Sequence, residues 1–230
     1  MNRKRGSELI QGQSLVEYAL ILALIVASVA LALLAMGVSA RDVYCLAAGG
    51  LGLDAQCAHY LHDDFSNLDG WTIDRGSWQS VDGMLCGGPG EGRIFRNLEG
   101  SDYTITLDGA TLSQGNGYGT YFRVSEAPDF SGYSFQYDPG YGGAFIMRKW
   151  VNGNEISPPF GRTRVGANYD WWNTPRQVQI EVKGDTFTAY VDGEQVLQAS
   201  DSTYTSGGVG LRTWDGTKAC FDAISVDAAR

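Results

Sequence analysis

Seven side chains between residues 118 and 172 have the types needed to hold a ring-shaped ligand: Tyr118, Tyr141, Arg148, Trp150, Tyr169, Trp171 and Trp172. Flat aromatic faces stack on apolar ring faces, and a few polar groups beside them fix orientation. Their surroundings are rich in Gly and Asn, and the adjacent Trp171 and Trp172 cannot both point inward if they occupy a strand. The same rings could equally fill a core or cover contacts between subunits.

Acid, base and metal chemistry is less well provided. Asp63, Asp64 and Asp222 could approach one another if the first and last strands are neighbours, and calcium favours several oxygen ligands. No loop shows an ordered ligand spacing, so turn chemistry is the preferred role and no metal is expected. His59 and His62 have no recognisable nucleophile partner. Paired carboxylates in a strand motif such as Glu-x-Asp-x-x-Glu, which a jelly-roll glycoside hydrolase would need, do not occur in the sequence. Catalytic residues and cofactors are therefore not expected, and neither is an enzyme. The formal charge of -9 argues against phosphate-backbone binding, which depends on clustered cations, so nucleic acid is not an expected partner.

These side chains need elements to position them, and the chain divides by composition. Residues 19 to 38 carry no charge and meet the roughly 20-residue requirement for crossing a bilayer. Arg3, Lys4 and Arg5 flank this run on its N-terminal side, which keeps residues 1 to 12 in the cytoplasm and sends the remainder out. A signal peptide ending near Val38-Ser39-Ala40 and a plain anchor are the alternatives. Glu17, at the edge of the apolar run, is costly in a membrane and so asks for a function, unless the helix dipole and the headgroups accommodate it.

Just before that run, Gly12-Gln13-Ser14-Leu15-Val16-Glu17-Tyr18 resembles the processing motif of Flp-type (Tad) members of the type IV pilin superfamily. The resemblance implies cleavage by a prepilin peptidase between Gly12 and Gln13, with Glu17 and Tyr18 as assembly residues. Glu17 would then meet the new N-terminal amine of a neighbouring subunit in the filament core. The domain plan that follows is a leader (1–12), an apolar pilin helix (13–44), a Gly/Ala-rich connection with a disulfide loop (45–61) and a β-sandwich (62–228). The helix would be roughly 48 Å long at 1.5 Å per residue.

The β pattern is read from alternation. Tyr103–Leu107, Gly119–Val124 and Tyr133–Tyr137 alternate, and residues 177–182 and 186–191 flank a Lys183-Gly184-Asp185 turn, with Asp192-Gly193 turning into a further strand. Asp64-Phe65, Gly70-Trp71, Trp78, Tyr190-Val191-Asp192-Gly193 and Gly208-Val209-Gly210-Leu211 through Phe221-Asp222 succeed one another as in concanavalin A-like (laminin-G-like) jelly rolls, which the span 62–228 resembles. That resemblance implies two antiparallel sheets and carbohydrate as a ligand class for the seven residues above. Four cysteines lack metal spacing, so an exported chain would form two disulfides. Three connectivities are open, of which Cys45–Cys57 and Cys86–Cys220 are preferred.

The expected fold class is a long N-terminal α-helix followed by an all-β sandwich of concanavalin A-like type. The expected function is a structural subunit of a type IV (Tad/Flp-like) pilus. It would sit first in the cytoplasmic membrane and then in an extracellular filament with other pilins, and its sandwich would serve adhesion or carbohydrate binding. The alternative is a non-polymerising, membrane-anchored carbohydrate-binding protein.

Overall fold

A computed structural model describes Tyr18 and residues 59–229, apart from 99, 126–128 and 215. The chain divides into two units, Met1–Cys57 and Ala58–Arg230. The second unit is a two-sheet antiparallel sandwich. One sheet runs in the order β14 (Glu194–Ser200), β13 (Thr186–Val191), β12 (Arg176–Lys183), β6 (Tyr103–Gln114), β16 (Lys218–Phe221), β4 (Met84–Gly87) and β3 (Trp78–Val81). Here β17 (Ala223–Ala228) also pairs with β6 and carries β1 (His59–Asp63) on its other edge. The second sheet runs β10 (Asn154–Glu155), β9 (Ala144–Val151), β8 (Gly132–Asp138), β7 (Tyr118–Val124), β15 (Gly208–Thr213), β5 (Gly92–Arg96) and β2 (Thr72–Arg75), with β11 (Gly161–Arg164) also on β9.

Strand β6 shows how sequence sets register. Tyr103, Ile105 and Leu107 point into the core, and after Gly109 the buried set continues at Ala110 and Leu112, a shift of one residue. The shift is a bulge, and Gly109 makes it feasible with φ +59° and an added Cβ that would lie 2.2 Å from Asp222 Oδ2. At that point β6 exchanges one partner, β17, for another, β16.

Between the sheets, Val178, Ile180, Val182, Ile224 and Val226 face Phe135, Tyr137, Phe145, Met147, Val209 and Leu211, all essentially solvent-free. Alternate residues of the second sheet point the other way. Phe95, Tyr121 and Trp150 join Val124 and Phe130 in a separate buried cluster on its outer face. Cys86 and Cys220 sit opposite one another on β4 and β16 and form a disulfide with a Cα–Cα distance of 4.1 Å.

The expected helix-plus-sandwich class is corrected to an all-β sandwich. Within 59–229 as described, the only helical element is a one-turn 3₁₀ helix at Pro139–Tyr141. The physical reason is the pattern itself, since period-two alternation interrupted by Gly and Asp turns leaves no helical stripe in this part of the chain. Among the described residues no helix is long and apolar enough to cross a membrane. The leader, the pilin helix of 13–44, the Cys45–Cys57 loop, and Gly12, Gln13 and Glu17 lie outside the described residues, while Tyr18 is exposed.

Candidate functional site

The outer face of the second sheet carries a polar cluster set among aromatic rings. Arg148 leaves β9 and Arg212 leaves β15, each opposite in phase to its core-facing neighbours, and both are buried. Glu155, on the short strand β10 that a turn at Asn152-Gly153 folds back onto β9, reaches both. Its Oε1 lies 2.6 Å from Arg148 Nε and its Oε2 2.5 Å from Arg212 Nη1. Two buried guanidinium groups thus share one carboxylate, which offsets part of the cost of desolvating them.

Aromatic rings complete the cluster. The Arg212 guanidinium carbon lies 4.5 Å from the centre of the Trp150 ring and 4.9 Å from that of Trp214, and Arg148 lies 5.0 Å from the Tyr141 ring. Trp150 donates its Nε1–H to Ser134 Oγ at 2.9 Å, which fixes the ring. A pocket of about 180 Å³ opens here, lined by Gln136, Asp138, Glu155, Arg212 and Trp214. It falls below the roughly 300–1,000 Å³ of sites that enclose drug-sized ligands, so its size suits a single small ring with hydroxyl groups. Guanidinium and amide donors stand beside carboxylate acceptors, which matches a neutral polyol.

Asp138 ends β8 and accepts the Tyr141 backbone N–H through Oδ1 at 2.8 Å. Burial pushes its carboxyl up to about 6, against the lowering effects of that hydrogen bond and of Arg148. At neutral pH it is mostly a carboxylate, and on mild acidification it becomes a donor.

The seven residues expected to hold a ligand separate into three groups. Tyr141, Arg148 and Trp150 belong to this cluster. Tyr118 lies in the core, stacked 5.0 Å from Tyr137, and Trp171 packs there at 4.7 Å from Tyr137 with the half-buried Tyr169 4.6 Å away. Trp172 is 43% exposed, in the connection between β11 and β12. Gln136, Asp138, Glu155, Arg212 and Trp214 were not among the expected residues. Arg212 carried a usable signal, because it alternates with Val209 and Leu211 and so had to face away from the core.

Asp63, Asp64 and Asp222 serve as structural groups. Asp63 accepts Trp71 Nε1–H at 2.8 Å and Arg96 Nη1–H at 3.1 Å, and Asp64 caps the Ser66 backbone N–H. No group of three His, Cys, Asp or Glu side chains capable of holding a metal occurs among the described residues. His62 is exposed on β1.

Residues 61–227 match the model of the 3-keto-alpha-glucoside-1,2-lyase-like domain. The chain belongs to that family. Over 167 residues it is 30% identical to a levanase of Bacillus subtilis (strain 168), which covers 71% of this chain but 23% of the levanase. The chain therefore spans about a quarter of that relative. Among solved structures it is similar to the carbohydrate binding module CBM66 from Bacillus subtilis, at 27% identity and a TM-score of 0.57, over 68% of this chain and 95% of the module. The VIP36 exoplasmic/lumenal domain in its Ca2+/Man-bound form shares the fold alone, at 11% identity and a TM-score of 0.55, over 71% of this chain and 84% of that one.

The pilin assignment is corrected by these matches. A seven-residue motif and an apolar run carried it, whereas 167 residues of the 3-keto-alpha-glucoside-1,2-lyase-like family account for most of the chain. Nothing in the family match or the similar structures indicates a Flp/Tad filament subunit, a prepilin peptidase substrate or pilin partners.

Proposed function

We propose that this domain binds carbohydrate without turning it over, through the pocket between Arg212, Glu155 and Trp214. The observation that carries the reading is the double clamp of Glu155. With both oxygens engaged by Arg148 and Arg212, it is a fixed acceptor beside fixed donors, a preorganised hydrogen-bonding surface rather than a free nucleophile. Trp214 adds a half-buried aromatic wall. Support for the ligand class comes from the carbohydrate binding module and the levanase to which the chain is similar. A fructan with levan-type linkages is the first ligand to test. Because the shared segment is a quarter of the levanase and nearly all of the binding module, binding is favoured over hydrolysis.

The Cys86–Cys220 disulfide supports an oxidising compartment outside the cytoplasm as the place of action. Affinity electrophoresis in gels with and without levan tests the reading. Retardation of the native protein and loss of retardation in Arg212→Ala are expected. Equal mobility of the native protein in both gels would overturn the reading, and release of fructose would overturn the binding-only part of it.

A further inference from the structure

Within residues 59–229 as described, Trp172 is an exposed large aromatic that neither the core nor the pocket uses. Its neighbour Trp171 is drawn into the core among Tyr137, Phe145 and Tyr169, while Trp172, in the connection between β11 and β12, is left 43% exposed. Outward placement of an unrestrained Trp would mean little. This one is held, because its Nε1–H donates to the Gly115 carbonyl oxygen at 2.9 Å, and the next residue, Asn173, donates its backbone N–H to Leu112 O at 2.8 Å. The indole edge is fixed while much of its surface remains in water.

The turn that holds Trp172 also supports the pocket. Gly117, two residues beyond Gly115, lies against Trp214 and Asp138, and an added Cβ there would come within 2.7 Å of Trp214 Cζ2 and 3.0 Å of Asp138 Cα. Two residues of chain reach at most about 7 Å, so the anchors of the two Trp side chains are separated by little more than a sugar unit. Between them Asn116 is exposed, with an amide that can donate and accept, and its backbone is pinned by Thr217 Oγ1 and by the Gly140 N–H.

We propose that Trp172, with Asn116, forms a second sugar position that receives the unit of an oligosaccharide next to the one held in the Arg212–Glu155 pocket. This inference rests on the pocket reading and adds to it a preference for chains over single sugars. A ring face stacked on Trp172 gains contact area that a monosaccharide in the pocket does not reach.

Calorimetric titration of the full chain with fructose and with β-2,6-linked fructo-oligosaccharides of increasing length tests it. Affinity is expected to rise roughly tenfold from one to three units. Trp172→Ala should flatten that dependence, and Trp172→Phe, which keeps a ring face but loses the bond to Gly115, should restore part of it. Unchanged length dependence in Trp172→Ala, or none in the native protein, would overturn the second position while leaving the pocket intact. Failure of the native protein to bind any length would remove the pocket reading and this one with it.

Discussion

The Arg212 guanidinium lies 4.5 Å from the centre of the Trp150 ring, on a sheet face that the interior core does not touch. Both side chains are buried, at 7% and 3% exposure, although they point away from the space between the sheets. Phe130 and the turn after β9 cover that face, with Gly153 N–H donating to Phe130 O at 2.7 Å. The pocket is thus floored by a second, smaller core, which holds its charged groups in place.

Glu155 is the residue on which that arrangement depends most. Its removal leaves Arg148 and Arg212, each 8% exposed at the side chain, without the carboxylate that ion-pairs with both. Glu155→Ala is expected to lower unfolding free energy by about 3 kcal/mol and to abolish sugar binding, measured by urea unfolding and calorimetry. A loss below about 0.5 kcal/mol would place the pair with weak surface ion pairs instead.

Acidity should act on the same site through Asp138. Its carboxyl is raised from 3.8 to about 6 in the folded protein, first by burial. Folding therefore favours its protonated form, so its stabilising contribution is complete below about pH 4 and is lost as the pH rises through about 6. That contribution is on the order of 2 kcal/mol, allowing for the part of the group still in water. In Asp138→Asn the change in stability between about pH 4 and pH 7 should shrink by this amount in parallel urea titrations. An unaltered pH profile would show that Asp138 is not buried as described.

The disulfide closes a span of 134 residues between β4 and β16. Chain-entropy arguments give such a long loop a stabilisation of about 5 kcal/mol, with 2–4 typical of measured bridges. The Cys86→Ser, Cys220→Ser double variant is expected to lose about 3 kcal/mol in thermal unfolding, with sugar affinity at 25 °C little changed because the bridge lies on the other sheet. A large loss of affinity in a folded variant would contradict that separation.

Much of the sandwich is legible in the amino-acid pattern alone. The turn at Gly184-Asp185 joins β12 to β13, and Asp192 and Gly193 turn with φ of +53° and +82° into β14, because alternation and turn residues act locally. The partner switch in β6 is not legible there, since it depends on Asp222 more than a hundred residues away meeting Gly109. Half of the site is hidden for a similar reason. Aromatics mark themselves, but Glu155 sits in a two-residue strand with no pattern of its own and gains its role from two arginines on separate strands. Tyr118 and Trp171 illustrate the reverse case, in which ligand-like ring types are consumed by packing. The pilin assignment rested on a short motif and an apolar run near the N-terminus, whereas the family match covers residues 61–227.

Calorimetric titration of levan oligosaccharides into the native protein and into Trp214→Ala addresses sugar binding in the pocket most directly. Trp214 is half-buried at the pocket wall and outside both buried hydrophobic clusters, so its removal should leave the fold standing, with a thermal midpoint close to native. Saturable binding by the native protein is predicted, with a loss of at least roughly tenfold in the variant. Binding of equal strength in both proteins would contradict it, because the sugar would then lie somewhere other than the Arg212–Glu155 pocket.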